Sequence, residues 1–155
     1  MKKAMILFAL AIFATGLYAQ KVKPQDVPEP VKTAFAKLYA GVTVDKWEKE
    51  DGNFEAEFKK DGKEISVLFD AAGTLMQTEE EIAVSALPQA VADYVSKNLG
   101  GKKIDEASKI TLADGTVNYE AEVGKKDYIF DAAGKFIKQD EEGAQDEDDE
   151  KEEKR

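Results

Sequence analysis

The segment NFEAEF at residues 53–58 recurs as NYEAEV at residues 118–123. A second segment, FDAAG at residues 69–73, recurs at residues 130–134, so the two segments follow each other in the same order in both halves of the chain. Two shared segments in one order indicate that a unit of about sixty residues is present twice. A repeat decides the fold, because both copies are expected to adopt the same local structure.

Each unit opens with a predicted helix that starts at a proline, where the missing N–H does no harm. Apolar residues after Pro28 recur with the spacing of one helical face, and the same holds after Pro88. We expect these faces to point into the core. They consist of Val27, Val31, Ala34, Phe35, Leu38 and Tyr39 in the first unit, and Leu87, Val91, Tyr94, Val95 and Leu99 in the second.

After each helix the apolar spacing changes from helical to alternating, which is typical of strands. Asp-Gly pairs at residues 51–52, 61–62 and 114–115 predict two-residue hairpin turns, and residues 124–126 replace the middle turn in the second unit. Asp-Ala-Ala-Gly turns lead into fourth strands predicted near residues 74–78 and 135–138.

The turns also predict the registers of the hairpins. In the first unit, Trp47 is expected opposite Ala56, which places the only tryptophan in the core. The same two-residue turn in the second unit would place Ile110 opposite Tyr119 and Leu112 opposite Val117. Those positions would lie on the helix side of the sheet.

The sequence therefore predicts an α+β fold of two tandem repeats. Each repeat is one helix followed by a four-stranded antiparallel meander, with the helix packed on one sheet face. We expect repeat one at about residues 22–80 and repeat two at about residues 82–139, within a single domain over residues 20–139, since sixty-residue units are marginal alone. Two ways of joining remain open at this stage, edge to edge or through the helices.

The first nineteen residues resemble a secretory signal peptide. Lys2 and Lys3 precede an apolar run, and Ala19 ends the segment at a small residue. An N-terminal membrane anchor is the alternative, although the run is shorter than a spanning helix requires. We expect a periplasmic or secreted protein. The chain has no cysteine, so its stability cannot depend on disulfides.

The other end of the chain, residues 140–155, is strongly acidic and carries a net charge of −7. Such a run repels itself and offers nothing to bury, so we expect a disordered acidic tail, either a solubilising brush or a docking arm. The whole chain has a formal net charge of −10. A negative protein without a basic patch is a poor candidate for binding nucleic acid.

This organisation resembles the PepSY-like family of small exported bacterial proteins, also described as having a beta-lactamase-inhibitor-protein-like fold. The resemblance rests on the Val27-Pro28 and Leu87-Pro88 openings, the E-A-E strands and the F-D-A-A-G turns. It implies the fold and an exported location. Relatives by fold include peptidase-associated inhibitory segments and a tandem-repeat inhibitor whose sheet grips an enzyme, but fold alone does not transfer either activity.

The composition argues against an enzyme. There is no His and no Cys, which removes the commonest general base, zinc ligand and thiol nucleophile. No acid lies in an apolar stretch that would raise its pKa, as carboxylate catalysis requires. Each Asp-Ala-Ala-Gly loop supplies one acid, whereas a calcium loop alternates several, so Asp70 and Asp131 are expected to form turns. We expect no catalytic residue, no cofactor and no specific metal site.

The sheet face opposite the helices is the candidate binding surface. Strand alternation directs polar residues of both units to that face, together with two aliphatic side chains. The predicted partner-binding residues are Asn53, Glu55, Glu57, Leu68, Asn118, Glu120, Glu122 and Ile129. A solvated face without a partner is the alternative.

The sequence favours an exported, non-catalytic binding module whose partner is an envelope or secreted protein such as a peptidase. A periplasmic protein that binds a small molecule or a cation is the second hypothesis, with a pocket between helix and sheet or between the repeats. An accessory role of the acidic tail is the third.

Overall fold

The computed structural model describes residues 20–141, with side chains described over residues 20–139. It contains two helices and an antiparallel sheet, which confirms the α+β class. The predicted signal peptide and residues 142–155 of the predicted tail lie outside the described residues. Between residues 20 and 141, neither helix has the length and hydropathy needed to cross a bilayer.

The helices are α1 (Glu29–Leu38) and α2 (Gln89–Asn98), and a short 3-10 turn precedes each (Pro24–Asp26 and Val84–Ala86). The strands are β1 (Gln20–Lys21), β2 (Lys46–Glu50), β3 (Asn53–Lys60), β4 (Lys63–Phe69), β5 (Leu75–Glu81), β6 (Glu106–Leu112), β7 (Val117–Glu122), β8 (Lys126–Asp131) and β9 (Phe136–Glu141).

All nine strands form one sheet in chain order, and every neighbouring pair is antiparallel. The two halves of the sheet join edge to edge through β5 and β6, from the pair Gln77–Leu112 to the pair Glu81–Ser108. The sequence left this junction open. It forms because β5 continues to Glu81, beyond the end predicted near residue 78.

Each helix covers one half of the same sheet face, and a separate apolar core lies beneath it. The first core contains Trp47, which is 7% exposed, as the sequence predicted. Its buried members are Val27, Val31, Phe35, Trp47, Phe54, Ala56, Phe58, Val67 and Phe69. The second core is formed by Val91, Val95, Ile104, Ala121, Val123, Tyr128 and Phe130.

The first hairpin has the register that its turn predicts. Asp51 and Gly52 have φ angles of 50° and 83°, as a two-residue type I′ turn requires. The turn pairs Glu50 with Asn53 and therefore places Trp47 opposite Ala56. The turn thus determines which side chains of β2 and β3 face the helix and are buried.

The predicted register of the second hairpin is wrong by one residue. Ile110 pairs with Asn118 rather than Tyr119, and Thr111 rather than Leu112 pairs with Val117. The Leu112 N–H donates to the Thr116 carbonyl at 2.9 Å, which encloses a three-residue loop. A one-residue change of register moves every side chain of a strand to the other face. Ile110 and Leu112 therefore lie opposite the helices.

The conformation of this second loop explains the error. Asp114 does not adopt a positive φ angle, whereas Gly115 has a φ angle of 84°. The Asp114 carboxylate accepts a hydrogen bond from the Thr116 N–H at 2.8 Å instead. A type I turn followed by a left-handed glycine gives the three-residue hairpin loop, and the same Asp-Gly pair is compatible with either loop.

The two Asp-Ala-Ala-Gly turns fix the helices over the sheet. Asp70 Oδ1 accepts hydrogen bonds from the N–H groups of Ala72 and Thr74 at 2.9 and 2.8 Å, which confirms its predicted role as a turn former. Asp131 makes the corresponding bonds in the second repeat. These bonds place Gly73, with a φ angle of 82°, directly against the first turn of α1.

Replacing Gly73 by Ala should therefore disrupt the contact between turn and helix. A Cβ atom at this position would lie 2.5 Å from the Pro30 carbonyl oxygen. Gly62→Ala is the matched control, since Gly62 has a φ angle of 80° and open space around the same position. Both variants should lose about 1 kcal/mol from the positive φ angle, and Gly73→Ala should lose about 1–3 kcal/mol more from overpacking.

Urea unfolding of the two variants measures this difference. Equal losses would show that the turn does not press against α1.

Candidate binding groove on the outer sheet face

We call the sheet face opposite the two helices the outer face. Strand alternation places all eight predicted partner-binding residues on it; for example, Glu55 pairs with Leu68 and Glu120 with Ile129. A groove of about 550 Å³ lies on this face. Of the predicted residues, the groove brings together Glu55, Glu57, Glu120 and Glu122. The predicted residues outside its lining are Asn53, Leu68, Asn118 and Ile129.

The groove crosses the junction between the repeats and is strongly acidic. Two lysines, Lys46 and Lys59, are its basic residues, so its net charge is −8. Its ten acids are Asp45, Glu55, Glu57, Glu64, Glu79, Glu81, Glu106, Glu120, Glu122 and Asp127. Both repeats contribute to this set, and no single segment of the sequence shows it.

Sequence reasoning missed three acids of the groove at the junction, namely Glu79, Glu81 and Glu106. The first two belong to the end of β5, which the sequence predicted too short, and the third begins β6. The available signal was the alternation of Gln77, Glu79 and Glu81, because it continues the strand pattern to the same face.

The two lysines neutralise the groove at one end only. Lys46 Nζ lies 2.9 Å from the Glu48 carboxylate and 3.1 Å from that of Glu57. Lys59 Nζ lies 2.7 Å from Glu64 in an exposed pair. Oxygens of Glu48, Glu55 and Glu57 fall within 4.8 Å of one another, but Lys46 already supplies positive charge to two of these three acids.

The central acids Glu55 and Glu79 are half-buried, contrary to the expectation that no acid lies in a setting that raises its pKa. Burial raises the pKa of the Glu55 carboxyl, and the negative charges of Glu57, Glu79 and Glu48 add to the rise against a hydrogen bond from Ser66. Burial also raises the pKa of Glu79. The alternating pattern that assigned these acids to a solvated face carries no signal for burial by their neighbours, and for Glu79 one of the flanking strands, β6, belongs to the other repeat.

Glu79 links the two repeats. Hydrogen bonding with Ser108 and Glu120, both in the second repeat, opposes the rise in the pKa of its carboxyl, and the negative charge of Glu57 in the first repeat adds to it. Burial and the charge of Glu57 thus both disfavour the ionised form of the Glu79 carboxyl at the junction.

Apolar side chains border the acidic groove. Leu68 and Leu112 both pair with Gln77, so they lie in one row across the outer face. Ile110 pairs with Glu79 in the adjacent row, and both Ile110 and Ile129 are only 6% exposed. The corrected register of the second hairpin thus gives the outer face an apolar border that the sequence assigned in part to the core.

A second groove, also of about 550 Å³, lies beside α2 and opens to the surface. Val84, Ala92, Val95 and Ile104 supply its apolar lining, while Lys102 and Lys103 lie at its edge. Neither groove in the described part of the chain is an enclosed apolar cavity of the kind that small-molecule sites favour.

Comparison with known proteins places these features in a family. The PepSY-like family, described as beta-lactamase-inhibitor-like, matches residues 17–77 and again residues 61–138. No functionally curated protein matches the chain.

Several solved structures from Bacteroides share the fold. A DUF2874 family protein of Bacteroides ovatus is 19% identical, with a TM-score of 0.63, over 77% of this chain and 91% of its own. A BLIP-like protein of Bacteroides fragilis is 25% identical, with a TM-score of 0.55, over 77% and 90%. A protein of Bacteroides eggerthii that is predicted to be periplasmic is 18% identical, with a TM-score of 0.61, over 73% and 87%.

Replacing Glu79 by Gln should stabilise the fold at neutral pH, because it removes a half-buried charge that faces Glu57. Glu57 lies two strands away in the same row, across Ser66, and burial of the Glu79 carboxylate adds to the cost of its charge, so we expect a gain of about 1 kcal/mol. Asp26→Asn, at an exposed acid outside the groove, is the control and should give no gain.

The gain should depend on pH with a definite sign. A raised pKa means that the folded state binds the proton of Glu79 more tightly than the unfolded state does. The resulting stabilisation is complete below the ordinary glutamate pKa of 4.5. It is lost as the pH rises through the pKa of Glu79 in the folded state. The advantage of Glu79→Gln should therefore shrink on acidification. Urea unfolding at several pH values measures it, and a gain that grows on acidification would contradict the assignment.

Proposed function

Because the chain belongs to the PepSY-like, beta-lactamase-inhibitor-like family, we propose that it is an exported, non-catalytic binding module that holds a protein partner against its outer sheet face. The observation that carries the proposal is the groove, in which ten acids converge from both repeats. Perturbed carboxylates gathered in a groove are typical of functional sites.

The form of the groove favours a protein over a small molecule. It runs from Lys46 on β2 to Asp127 on β8 and is open along its length, which suits an extended segment or a loop. A pocket for a small molecule would be enclosed and mostly apolar. Binding of a single cation is also less suited, because the acids extend across six strands, β3 to β8, rather than surrounding one point.

The proposal also assigns roles to the two ends of the chain and divides the domain between them into two repeats. Residues 1–19 would direct export, and residues 20–139 would form one domain of two repeats, each a helix followed by a four-stranded meander. The tail predicted from residue 140 begins later, because Asp140 and Glu141 belong to β9. Residues 142–155 would form a disordered acidic tail. The predicted periplasmic location of the Bacteroides eggerthii relative supports a periplasmic or secreted module, with an envelope or secreted protein such as a peptidase as its partner.

Affinity capture from envelope extract tests the role of the outer face. A variant with four substitutions, Glu55→Gln, Glu57→Gln, Glu120→Gln and Glu122→Gln, should lose most of the captured partner, because it removes acids contributed by both repeats. We expect at least a tenfold reduction, the effect of about 1.4 kcal/mol.

The matched control removes four exposed acids outside the groove, through Asp26→Asn, Glu29→Gln, Asp61→Asn and Asp93→Asn. This control should retain the partner. Full capture by the groove variant, or equal losses in both variants, would show that the acids of the outer face do not bind the partner.

A further inference from the structure

The two repeats fill the space beneath their helices with side chains of different size. Positions sixty residues apart correspond in this part of the fold, because α1 and α2, and likewise β2 and β6, begin sixty residues apart. Phe35 and Trp47 of the first repeat therefore correspond to Val95 and Ala107 of the second. In the first core the rings of Phe35 and Trp47 meet edge to face, with centroids 5.8 Å apart. The second repeat has no ring at either position.

The loop that follows each helix differs in the same sense. Val42 of the first repeat is half-buried and packs against the first core. Its counterpart in the second repeat is Lys102, which is exposed, as is Lys103 beside it. The groove of about 550 Å³ beside α2 lies at this place, since Val95 and both lysines line it. Side chains that close the corresponding place in the first repeat are thus replaced by smaller or charged ones in the second.

The aromatic rings of the second core lie away from this groove. Tyr94 stacks on Phe136 with ring centroids 4.8 Å apart, and it meets Phe130 edge to face at 5.3 Å. Phe130 and Phe136 belong to β8 and β9, whereas the groove is bounded by the loop that leads into β6. No aromatic residue of the described chain lines the groove. The space that Phe35 and Trp47 suggest for a ring is therefore not taken by another one.

This protein has no ring to offer the groove from outside. Every aromatic side chain over residues 20–139 is buried or half-buried. Residues 142–155 contain no aromatic residue. The exposed large apolar side chains of the described domain are all aliphatic, namely Leu38, Met76, Val84 and Ile137. Neither the domain of a second copy nor the acidic tail can therefore supply a ring, which must come from another protein.

The edge of the groove is basic, although the whole chain carries a net charge of −10. Lys102 and Lys103 lie at this edge, and Lys97 is in the last turn of α2. Asp105 is the acid in the lining, and its carboxylate lies 3.8 Å from Lys103 Nζ in an exposed pair. The lining thus has a net charge of +1. Charge complementarity favours a partner with acidic residues next to its apolar anchor.

We propose that the groove beside α2 is a docking site for an aromatic side chain of another protein, flanked in that protein by acidic residues. The ring would contact Val84, Val95 and Ile104, and the acids would pair with Lys102 and Lys103. An open groove suits a side chain presented by a protein, whereas a small molecule favours an enclosed cavity. The site shares no residue with the acidic groove of the outer face, so it does not depend on the proposed function.

A titration of the full chain, labelled with nitrogen-15, with the end-blocked peptide Asp-Trp-Asp tests the proposal. The amide signals of Ala92, Ser96 and Gly101, which line the groove, should shift as the peptide binds. The peptide Asp-Ala-Asp should bind at least about tenfold more weakly, because it lacks the aromatic anchor. The peptide Lys-Trp-Lys should bind about fivefold more weakly, because its charges face lysines.

Two variants give the groove the residues of the first repeat. The double variant Lys102→Val and Lys103→Thr copies the loop residues Val42 and Thr43 and removes both charges. Val95→Phe keeps both lysines and restores the ring that the first repeat has at this position. Each variant should weaken binding of Asp-Trp-Asp by at least about tenfold, since each removes one of the two parts of the site.

The matched control is the double variant Lys21→Val and Lys23→Thr, at two exposed lysines of the first repeat outside the groove. It removes the same charge as the loop variant and should change the affinity by less than about twofold. Circular dichroism of each variant establishes that it is folded, so that a loss of binding is not a loss of structure.

Several results would overturn the inference. Absence of shifts at millimolar Asp-Trp-Asp would show that no such site exists, and equal binding of Asp-Ala-Asp would show that the lysines merely attract anions. Shifts confined to the outer face, or equal losses in the loop variant and its control, would place the peptide elsewhere. None of these results touches the acids of the outer face, so a failure here is distinct from a failure of the proposed function.

Discussion

The backbone pairing of β5 with β6 is the constraint on which the rest of the structure depends. It joins two half-sheets, each with its own helix and its own core, into one nine-stranded sheet. A unit of about sixty residues buries too little surface to be more than marginally stable alone. We therefore expect the two halves to unfold together, because the junction couples them. The pair Glu80–Lys109 at the junction is the counterpart of Gln20–Lys49 at the start of the domain. Strand β5 therefore lies beside β6 in the second repeat as β1 lies beside β2 in the first.

The acidic groove is a consequence of that pairing. Glu79 reaches Ser108 and Glu120 only because β5 lies beside β6. The two apolar cores lie on the helix side of the sheet, away from the groove, and within the described residues no buried side-chain polar atom lacks a hydrogen-bond partner. The pairing of the two half-sheets thus gathers carboxylates of both repeats on the outer face, where burial and like charge raise the pKa values of Glu55 and Glu79.

Much of the fold could be predicted from local pattern. The repeated NFEAEF and FDAAG segments predicted the strands and turns, and the type I′ turn at Asp51 and Gly52 set the register that buries Trp47. The second Asp-Gly pair shows the limit of that method, because Asp-Gly fits both two-residue and three-residue loops and the choice decides whether Ile110 faces the core. The half-buried acids were beyond local pattern altogether. Glu79 is flanked by β4 in its own repeat and by β6 in the next, and the sequence left the pairing with β6 open.

Hydrogen–deuterium exchange at the junction tests the central claim most directly. The account predicts that amide protons in the β5–β6 ladder, from Gln77 to Glu81 and from Ser108 to Leu112, exchange as slowly as those of the β3–β4 ladder within the first repeat. Exchange at the junction as fast as in the hairpin loops, with β3 and β4 still protected, would mean that the repeats are separate bodies. The shared sheet and its groove would then not exist.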